Sequence, residues 1–393
     1  MRIQRKLLVA GVLTLGLAAA VPAVRAADAG TTPGGQAAGN QAAGSQATGS
    51  QAALAGLSAQ QLAGQRVIYS YSGLNPPASL ISLIQHGEAA GVIFFGQNIS
   101  SRAQIAAVIK RLEQANASSL NPVRAPLLLM TDQEGGEVRR LPGQPVLSEK
   151  QIGANPLSRA KVLATQAGKG AAANLLGVGM NVNLAPVLDV YRKAGDFDDQ
   201  FGRSYSMHPA VVSALGVNMI KAQQAAGVAA TAKHFPGLGA ATAVQNTDTG
   251  PVTLNLSLAA IRGVDEAPFK TAISAGVKLV MVSWAIYPSI QARPAGLSSK
   301  VVQGELRNRL KFTGVTVTDA LEAGALKNYG STQHRALLAA QAGMDLILAS
   351  AQNVSQGQQV RAELAAAYGN GSLNHAAFLA AVNRVIALRK TLK

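Results

Sequence analysis

The feature that most constrains the fold is an alternation of short β-type runs with longer segments of helical period. From residue 65 onward, eight apolar, β-branched runs fit buried strands: 67–71, 91–95, 126–130, 180–184, 228–232, 278–282, 315–317 and 344–348. Between them, spacings such as Ile105, Val108, Ile109 and Leu112 indicate amphipathic helices. Eight strands separated by helices over roughly 330 residues predict a (β/α)8 TIM barrel; an open doubly wound sheet is the alternative.

Polar residues follow five of these strands at their carboxyl ends. Strand three leads into TDQEGGEVRR, strand four into Asn183 and Asp189, strand five into Lys233 and His234, strand six into Ser283 and Trp284, and strand seven into Thr318 and Asp319. A solvated loop would explain any one of them. Because active sites of barrels gather at the carboxyl ends of the strands, the five together predict a site for a polar ligand with many hydroxyls.

The start of the chain has the pattern of a secretory signal peptide over residues 1–26, with basic residues, an apolar stretch and the small-residue end Val24-Arg25-Ala26. Residues 27–54 repeat short Gln/Ala/Gly units and predict a linker, because they offer almost no large apolar side chains to bury. The folded domain is expected at 55–393. We therefore expect an exported protein, periplasmic or secreted. No membrane span is expected, since no later apolar run reaches the roughly 18 residues that a span needs.

Composition narrows the possible partners. The chain has no cysteine, which excludes disulfides and thiolate metal sites. Its net charge of +16 falls to +12 when the four basic residues of the signal peptide are removed. A positive charge of this size favours acidic cell-envelope polymers as partners. The alternative is that the charge only aids solubility. The absence of a basic-aromatic motif argues against nucleic acid. No metal or organic cofactor is expected, because the sequence shows no set of ligands at metal spacing and Gly135-Gly136 is too short for a phosphate loop.

Six motifs, in order and spacing, resemble glycoside hydrolase family 3: LLLMTDQEGGEVRRL, NVNLAPVLDV, GRSYS, AKHFPGLG, VMVSWAIYP and GVTVTDAL. The segment KHFPGLG is similar to the bacterial β-N-acetylglucosaminidase branch. The resemblance runs from about Leu57 to the C-terminus. It implies a TIM barrel that removes terminal β-linked N-acetylglucosamine, often from peptidoglycan fragments, with retention at the anomeric carbon. Other outcomes are a β-glucosidase, a β-xylosidase, a transglycosylase or a non-catalytic glycan- or muropeptide-binding protein.

The resemblance also assigns roles to individual residues. A retaining glycosidase needs a carboxylate nucleophile and a proton donor on opposite sides of the sugar. Asp319 matches the family nucleophile; a helix cap is its structural alternative, and Glu322 is a less favoured substitute. The residues that match the sugar-binding positions are Asp132, Arg140, Arg203, Lys233 and His234, with Arg203 resting on the shorter GRSYS motif.

The proton donor is where the sequence departs from the pattern. In the similar branch, four residues and then Asp-Ser/Thr-His follow KHFPGxG, and the histidine is the acid/base. Here the loop is AATAVQNTDT and has no histidine. A displacement by two residues places Asn246, Thr247 and Asp248 on the three positions, so we expect Asp248 to be the acid/base with Asn246 in support. A carboxyl can do this work if burial or the nearby nucleophile raises its pKa.

The other histidines are expected to be surface or packing residues: His86, His208, His334 and His375. Among them, His208 is the next candidate for the proton donor. Trp284 stands where the similar branch usually has a histidine after the serine. Its indole could stack on a sugar face or fill the mouth of the barrel.

Overall fold

The structure is a computed structural model that describes Leu54 and residues 56–392. All described residues belong to one compact unit, Ser50–Lys393. The predicted signal peptide and all but the last residue of the predicted linker lie outside the described residues. That last residue, Leu54, is buried in the hydrophobic core.

Eight parallel strands form one sheet: β1 Val67–Tyr69, β2 Gly91–Ile93, β3 Leu128–Thr131, β4 Val182–Asn183, β5 Ala229–Phe235, β6 Leu279–Val282, β7 Val315–Thr318 and β8 Ile347–Leu348. Each strand pairs with the next in sequence as far as β7, and β1 also pairs with β8. A parallel bridge between Val317 and Leu346 joins β7 to the start of β8 and closes the circle. The predicted TIM barrel is confirmed, and the open-sheet alternative is wrong because the first and last strands are paired.

Helices and two small hairpins surround the barrel. The α-helices span Ala59–Gly64, Ala78–Gln85, Arg102–Asn116, Glu149–Gly153, Leu157–Leu176, Phe197–Gln200, Pro209–Ala225, Leu258–Ala260, Ala267–Ser274, Thr332–Ala342, Val354–Gly369 and His375–Lys390. Shorter 3₁₀ turns and two π-helical segments, Ile261–Asp265 and Lys300–Arg309, complete the layer. The hairpins pair Gln133–Gly135 with Val138–Arg139, and Ile286–Tyr287 with Gln291–Pro294. Among the described residues, no helix is both long enough and apolar enough to span a bilayer.

Strand residues alternate between two hydrophobic cores, as the period of two requires. Ile68 of β1 and Met281 of β6 belong to the cluster inside the barrel. Their neighbours Tyr69 and Val282 belong to the larger cluster shared with the surrounding helices. Helix Arg102–Asn116 buries in that second cluster all four of the residues that predicted it.

The last helix, His375–Lys390, closes the amino-terminal end of the barrel. Val385 and Leu388 of this helix join the cluster inside the barrel. The Arg389 guanidinium is fully buried and donates to the carbonyl of Ala125, ahead of β3, over 2.9 Å. Side chains therefore fill the amino-terminal end of the barrel. The polar residues that follow the strands lie at the opposite, carboxyl-terminal end.

Candidate active site

A cavity of about 220 Å³ lies at the carboxyl ends of the strands. All seven predicted site residues line it: Asp132, Arg140, Arg203, Lys233, His234, Asp248 and Asp319. Apolar side chains from the barrel interior, such as Leu184 and Met281, line the rest of its wall. A larger cavity of about 410 Å³ is lined by Arg66, which precedes β1, and by Arg384 of the last helix. None of the seven predicted site residues lines this cavity.

Lys233 is the centre of a buried ion network on one wall of the cavity. Its Nζ lies 2.8 Å from Asp132 Oδ1 and 2.7 Å from Glu134 Oε1. Glu134 in turn accepts two parallel hydrogen bonds from the Arg203 guanidinium, each of 2.9 Å. Burial lowers the pKa of Lys233, but the two carboxylates outweigh it and the net shift is upward. The lysine is therefore held charged in a place with almost no solvent.

The carboxylate of Glu134 is only 2% exposed. Burial alone would raise its pKa, but the adjacent Arg203 and Lys233 lower the pKa to about 2. Replacing either cation is expected to destabilise the protein, because it leaves the buried carboxylate of Glu134 incompletely compensated. Glu134 thus fixes the positions of Arg203 and Lys233 at the cavity.

The hairpin after β3 delivers Asp132 and Glu134. The Gln133 side chain donates to the carbonyl of Leu141 over 2.8 Å, which ties the hairpin to the chain that follows it. Gly135 and Gly136 have φ values of 122° and 57°, a backbone conformation that strongly favours glycine. A tight turn forms at Gly135-Gly136. Arg140 follows the hairpin with its Nε 4.0 Å from Asp132 Oδ2, the longest of the ion pairs at the cavity.

His234 is oriented by Asp189, which comes from the loop after β4. The His234 Nδ1 lies 2.6 Å from Asp189 Oδ2, and the same carboxylate accepts the backbone N–H of Leu238 over 2.6 Å. Burial lowers the pKa of His234, but Asp189 outweighs this effect and raises it overall. With Nδ1 engaged, Nε2 is the ring nitrogen that remains for a ligand in the cavity.

Asp319 follows β7 directly, and its Oδ1 accepts the backbone N–H of Ala320 over 2.7 Å. Residues 320–323 form a turn, so the helix that Asp319 would cap as its structural alternative does not form. Glu322, the less favoured substitute, is exposed and accepts hydrogen bonds from Ser350 and Gln356 instead of lining the cavity. Of the two carboxylates, Asp319 alone lines the cavity.

Asp248 lies on the loop after β5, which is joined to the segment after Asp319. The Asp248 carbonyl accepts the N–H of Gly324 over 2.8 Å. The residue as a whole is exposed, but its carboxyl lines the cavity. Partial burial of the carboxyl, and then repulsion by Asp319, raise its pKa. Asn246 accepts the backbone N–H of Asp248, so its contact supports the loop backbone and does not reach the carboxyl.

Trp284 fills space behind Asp319. The indole is fully buried, and its Nε1 donates to the carbonyl of Ala320 over 2.8 Å. A Cβ on Gly296 would lie 2.5 Å from the ring, so the indole needs a glycine at that position. Of the two roles expected for Trp284, the structure favours packing over stacking on a sugar.

The remaining histidines lie outside the cavity lining: His86, His208, His334 and His375. All four are exposed. His208 stands immediately before helix Pro209–Ala225. His375 begins helix His375–Lys390. Asp248 therefore keeps its place as the candidate proton donor.

Sequence reasoning assigned no role to three buried acids of the site, although it placed Asp189 among the polar residues at the strand ends. Glu134 stands two residues after Asp132 and Asp189 follows strand four, so position relative to a strand end was the available signal. Asp198 showed no such signal, since it lies on the short helix Phe197–Gln200; its Oδ1 accepts a hydrogen bond of 3.1 Å from Arg203.

Asp189, Asp198 and His234 bring ligand atoms within 4.8 Å of one another, a grouping that the sequence did not reveal. The carboxylate of Asp189 already accepts the His234 ring and backbone N–H groups. This arrangement fits a hydrogen-bonded dyad better than an open ligand set. The expectation that no metal is needed stays a prediction.

A TIM barrel whose cavity at the strand ends is lined by carboxylates and basic side chains has the groups that a hydrolase acting on glycosides needs. Residues 57–388 match the model of the glycosyl hydrolase family 3 N-terminal domain, and the chain belongs to this family. The predicted resemblance is thereby confirmed.

Three similar proteins illustrate the relationship. An uncharacterized secreted glycosyl hydrolase of Arthroderma benhamiae is 46% identical over 84% of this chain and 93% of its own length. A β-hexosaminidase of Nitrosomonas eutropha is 36% identical over 67% of this chain and 74% of its own. The solved structure of a family 3 β-N-acetylglucosaminidase from Paenibacillus sp. FPU-7 superposes with a TM-score of 0.79 at 33% identity, covering 85% of this chain and 62% of that one.

Proposed function

We propose that this chain is a retaining β-N-acetylhexosaminidase that removes terminal β-linked N-acetylglucosamine, with Asp319 as nucleophile and Asp248 as acid/base. One observation carries the proposal: both carboxyls line a single cavity of about the size of one sugar residue, together with the buried network around Lys233. The names of the Nitrosomonas and Paenibacillus proteins support the choice of substrate.

In the first step, the Asp319 carboxylate attacks the anomeric carbon and the bond to the leaving-group oxygen breaks. The Ala320 N–H holds Oδ1, which leaves Oδ2 for the attack. Asp248 gives its proton to the departing oxygen. The products of this step are the free leaving group and a sugar esterified to Asp319.

In the second step, water attacks the anomeric carbon from the side that the leaving group vacated, and Asp248 takes up the proton of the water. The raised pKa of Asp248 favours the protonated form that the first step requires. Repulsion by Asp319 is one cause of that rise, and it disappears when Asp319 is esterified and loses its charge. The same carboxyl then ionises more readily and can act as the base.

The wall around Lys233 provides the sugar contacts. An ionised carboxylate accepts hydrogen bonds, so Asp132 suits sugar hydroxyls, while the ammonium of Lys233 and the guanidinium of Arg140 are donors. Lys233 already pairs with Asp132 Oδ1 over 2.8 Å, which leaves Oδ2 for a hydroxyl. Contacts of this kind strengthen as the ring distorts toward the transition state.

Paired p-nitrophenyl glycosides test the proposal directly. The wild type should hydrolyse the N-acetyl-β-D-glucosaminide and release the β-anomer first in a time-resolved NMR spectrum, while Asp319→Ala should lose about four orders of magnitude in kcat. Glu322→Gln is the matched control and should keep activity. Faster cleavage of the β-glucoside or β-xyloside would identify that sugar as the substrate instead. Transfer to an added alcohol in preference to water would indicate a transglycosylase. Sugar binding without turnover would indicate a binding protein.

Export and the source of the substrate are parts of the same proposal. The signal-peptide pattern of residues 1–26 and the secreted Arthroderma relative support export, and the net positive charge suits acidic cell-envelope polymers as partners. We expect the mature protein to begin near Ala27, which intact mass spectrometry of the exported form would show. Release of N-acetylglucosamine from peptidoglycan fragments would identify the substrate, and release only from chitin fragments would contradict that choice.

A further inference from the structure

We infer that Phe201 and Val244, called the apolar lip here, bind the leaving group of the substrate as a second sugar ring, an inference that rests on the proposed function. Both side chains are exposed to solvent: Phe201 is 43% exposed and Val244 is 89% exposed. Isolated exposed apolar residues are common, but neighbouring ones beside a cavity mark binding surfaces.

The two residues lie on segments that are joined to each other. The Gln200 side chain, next to Phe201, donates to the carbonyl of Ala243, next to Val244, over 2.8 Å. One turn earlier, the N–H of Phe197 donates to the carbonyl of Ala241 over 2.9 Å. The two lip residues therefore lie on adjoining segments, one at the end of helix Phe197–Gln200 and the other in the loop after β5.

The lip is continuous with the cavity. Phe197 is 8% exposed and lines the cavity, and the ring of Phe201 packs edge-on against it with centroids 5.5 Å apart. The apolar surface thus runs from the cavity wall to the outside. On the loop that bears Val244, Asp248 also lines the cavity.

This position matches the chemistry of the leaving group. The cavity has room for about one sugar residue, so the next ring must lie outside it, attached through the oxygen that Asp248 protonates. The faces of a pyranose ring carry C–H groups, which pack well on an aromatic ring. The lip would therefore favour substrates whose leaving group is itself a sugar ring over those with a small alkyl group.

Two substrates that differ only in the leaving group test the lip. N,N′-diacetylchitobiose releases a sugar ring, and methyl N-acetyl-β-D-glucosaminide releases methanol. Phe201→Ala should lower kcat/KM about 5- to 10-fold for the disaccharide and change it less than about twofold for the methyl glycoside. Phe201→Tyr, which keeps a ring, should retain the wild-type preference. Leu120→Ala removes an apolar side chain that is 59% exposed in the loop before β3, and should change neither rate.

Each outcome has one meaning. A selective loss on the disaccharide supports the lip. Equal losses on both substrates would make Phe201 a support for the loop of Asp248 and would overturn the inference, as would no loss on either. If the wild type cleaves neither substrate, the proposed function itself is wrong and the lip falls with it. Circular dichroism and melting temperatures of all variants show whether the chain has folded.

Discussion

The two walls of the cavity are built in opposite ways. On one wall, Lys233 is 2% exposed and held by two carboxylates, one of which is itself held by Arg203. On the other, Asp248 lies in an exposed loop whose contacts to the segment after Asp319 are made by the backbone. Changing a buried, paired charge leaves its partner uncompensated, whereas a change in an exposed loop costs little. The departure at the proton-donor position lies in the loop, where the fold tolerates it.

The comparison assigns different tasks to the two walls. The buried wall is expected to act on the sugar ring, which is the same in every substrate of the enzyme. The loop is expected to act on the leaving group, which varies. Substitutions on the two walls should therefore differ in how their effects depend on the leaving group.

Between the two walls, the larger effect is expected for Asp248→Ala with substrates that have poor leaving groups. Without a proton donor, kcat/KM for N,N′-diacetylchitobiose should fall by about 10²- to 10⁴-fold, while an activated aryl glycoside should lose far less, because its leaving group departs without a proton. The raised pKa of Asp248 sets the basic limb of the pH profile, since that limb reports ionisation of the acid. The limb should be absent in the variant.

Azide provides a second measurement on the same variant. It should partly restore turnover of the aryl substrate and yield a β-glycosyl azide, because Asp319 still forms the glycosyl-enzyme. Equal losses on all substrates, an unchanged pH profile and no azide product would together show that Asp248 is a structural loop residue. His208→Ala would then be the next variant to measure.

A smaller and more uniform effect is expected for Lys233→Ala. Removal of the ammonium loses hydroxyl contacts and leaves Glu134 with one cation fewer, so kcat/KM should fall by about 10²-fold to a similar extent for aryl and disaccharide substrates. Lys150→Ala is the matched control, because this lysine is half-exposed and pairs with Asp199 away from the cavity lining. A loss at Lys233 that depends on the leaving group would break the proposed division between the two walls.

The barrel was predictable because its signal is periodic and local. Each of the eight predicted runs contains or overlaps an observed strand, and β5 extends to Phe235 through the polar pair Lys233-His234. All seven predicted site residues came from strand ends or motifs, and the fold brings all seven to one cavity. Their roles rest on the resemblance and stay predictions.

The ion pairs could not be predicted in the same way. Glu134 pairs with Arg203, a residue 69 positions further along the chain. Neither segment contains a pattern that predicts this pairing. Asp198 lies on a four-residue helix, too short for a periodic signal. Trp284 left two roles open, because only the surrounding packing shows that its indole is enclosed and directed at the Ala320 carbonyl.

The smallest effect is expected on stability, for a substitution of Asp198. It tests whether every charge of the buried wall stabilises the fold. Asp198 is 1% exposed, and within the described part of the chain its Oδ2 has no hydrogen-bond partner. Burial, and then repulsion by Asp189, raise its pKa to about 7. Because the folded-state pKa lies above the unfolded value, this carboxyl contributes stability at low pH that is lost as the pH rises through about 7.

Asp198→Asn should remove that dependence. Relative to the wild type, its melting temperature should rise by about 2–4 °C between about pH 5 and pH 8 in scanning calorimetry. Glu134→Gln is the contrasting control. The folded-state pKa of Glu134 is about 2, so its carboxylate stabilises the fold at every pH above its unfolded-state pKa, and this stabilisation is lost only as the pH falls through about 2. That variant should be less stable than the wild type by a constant amount over the same range. A difference for Asp198→Asn that stays flat with pH would mean that the carboxylate is ionised and well compensated at neutral pH, and that the buried wall is stabilising throughout.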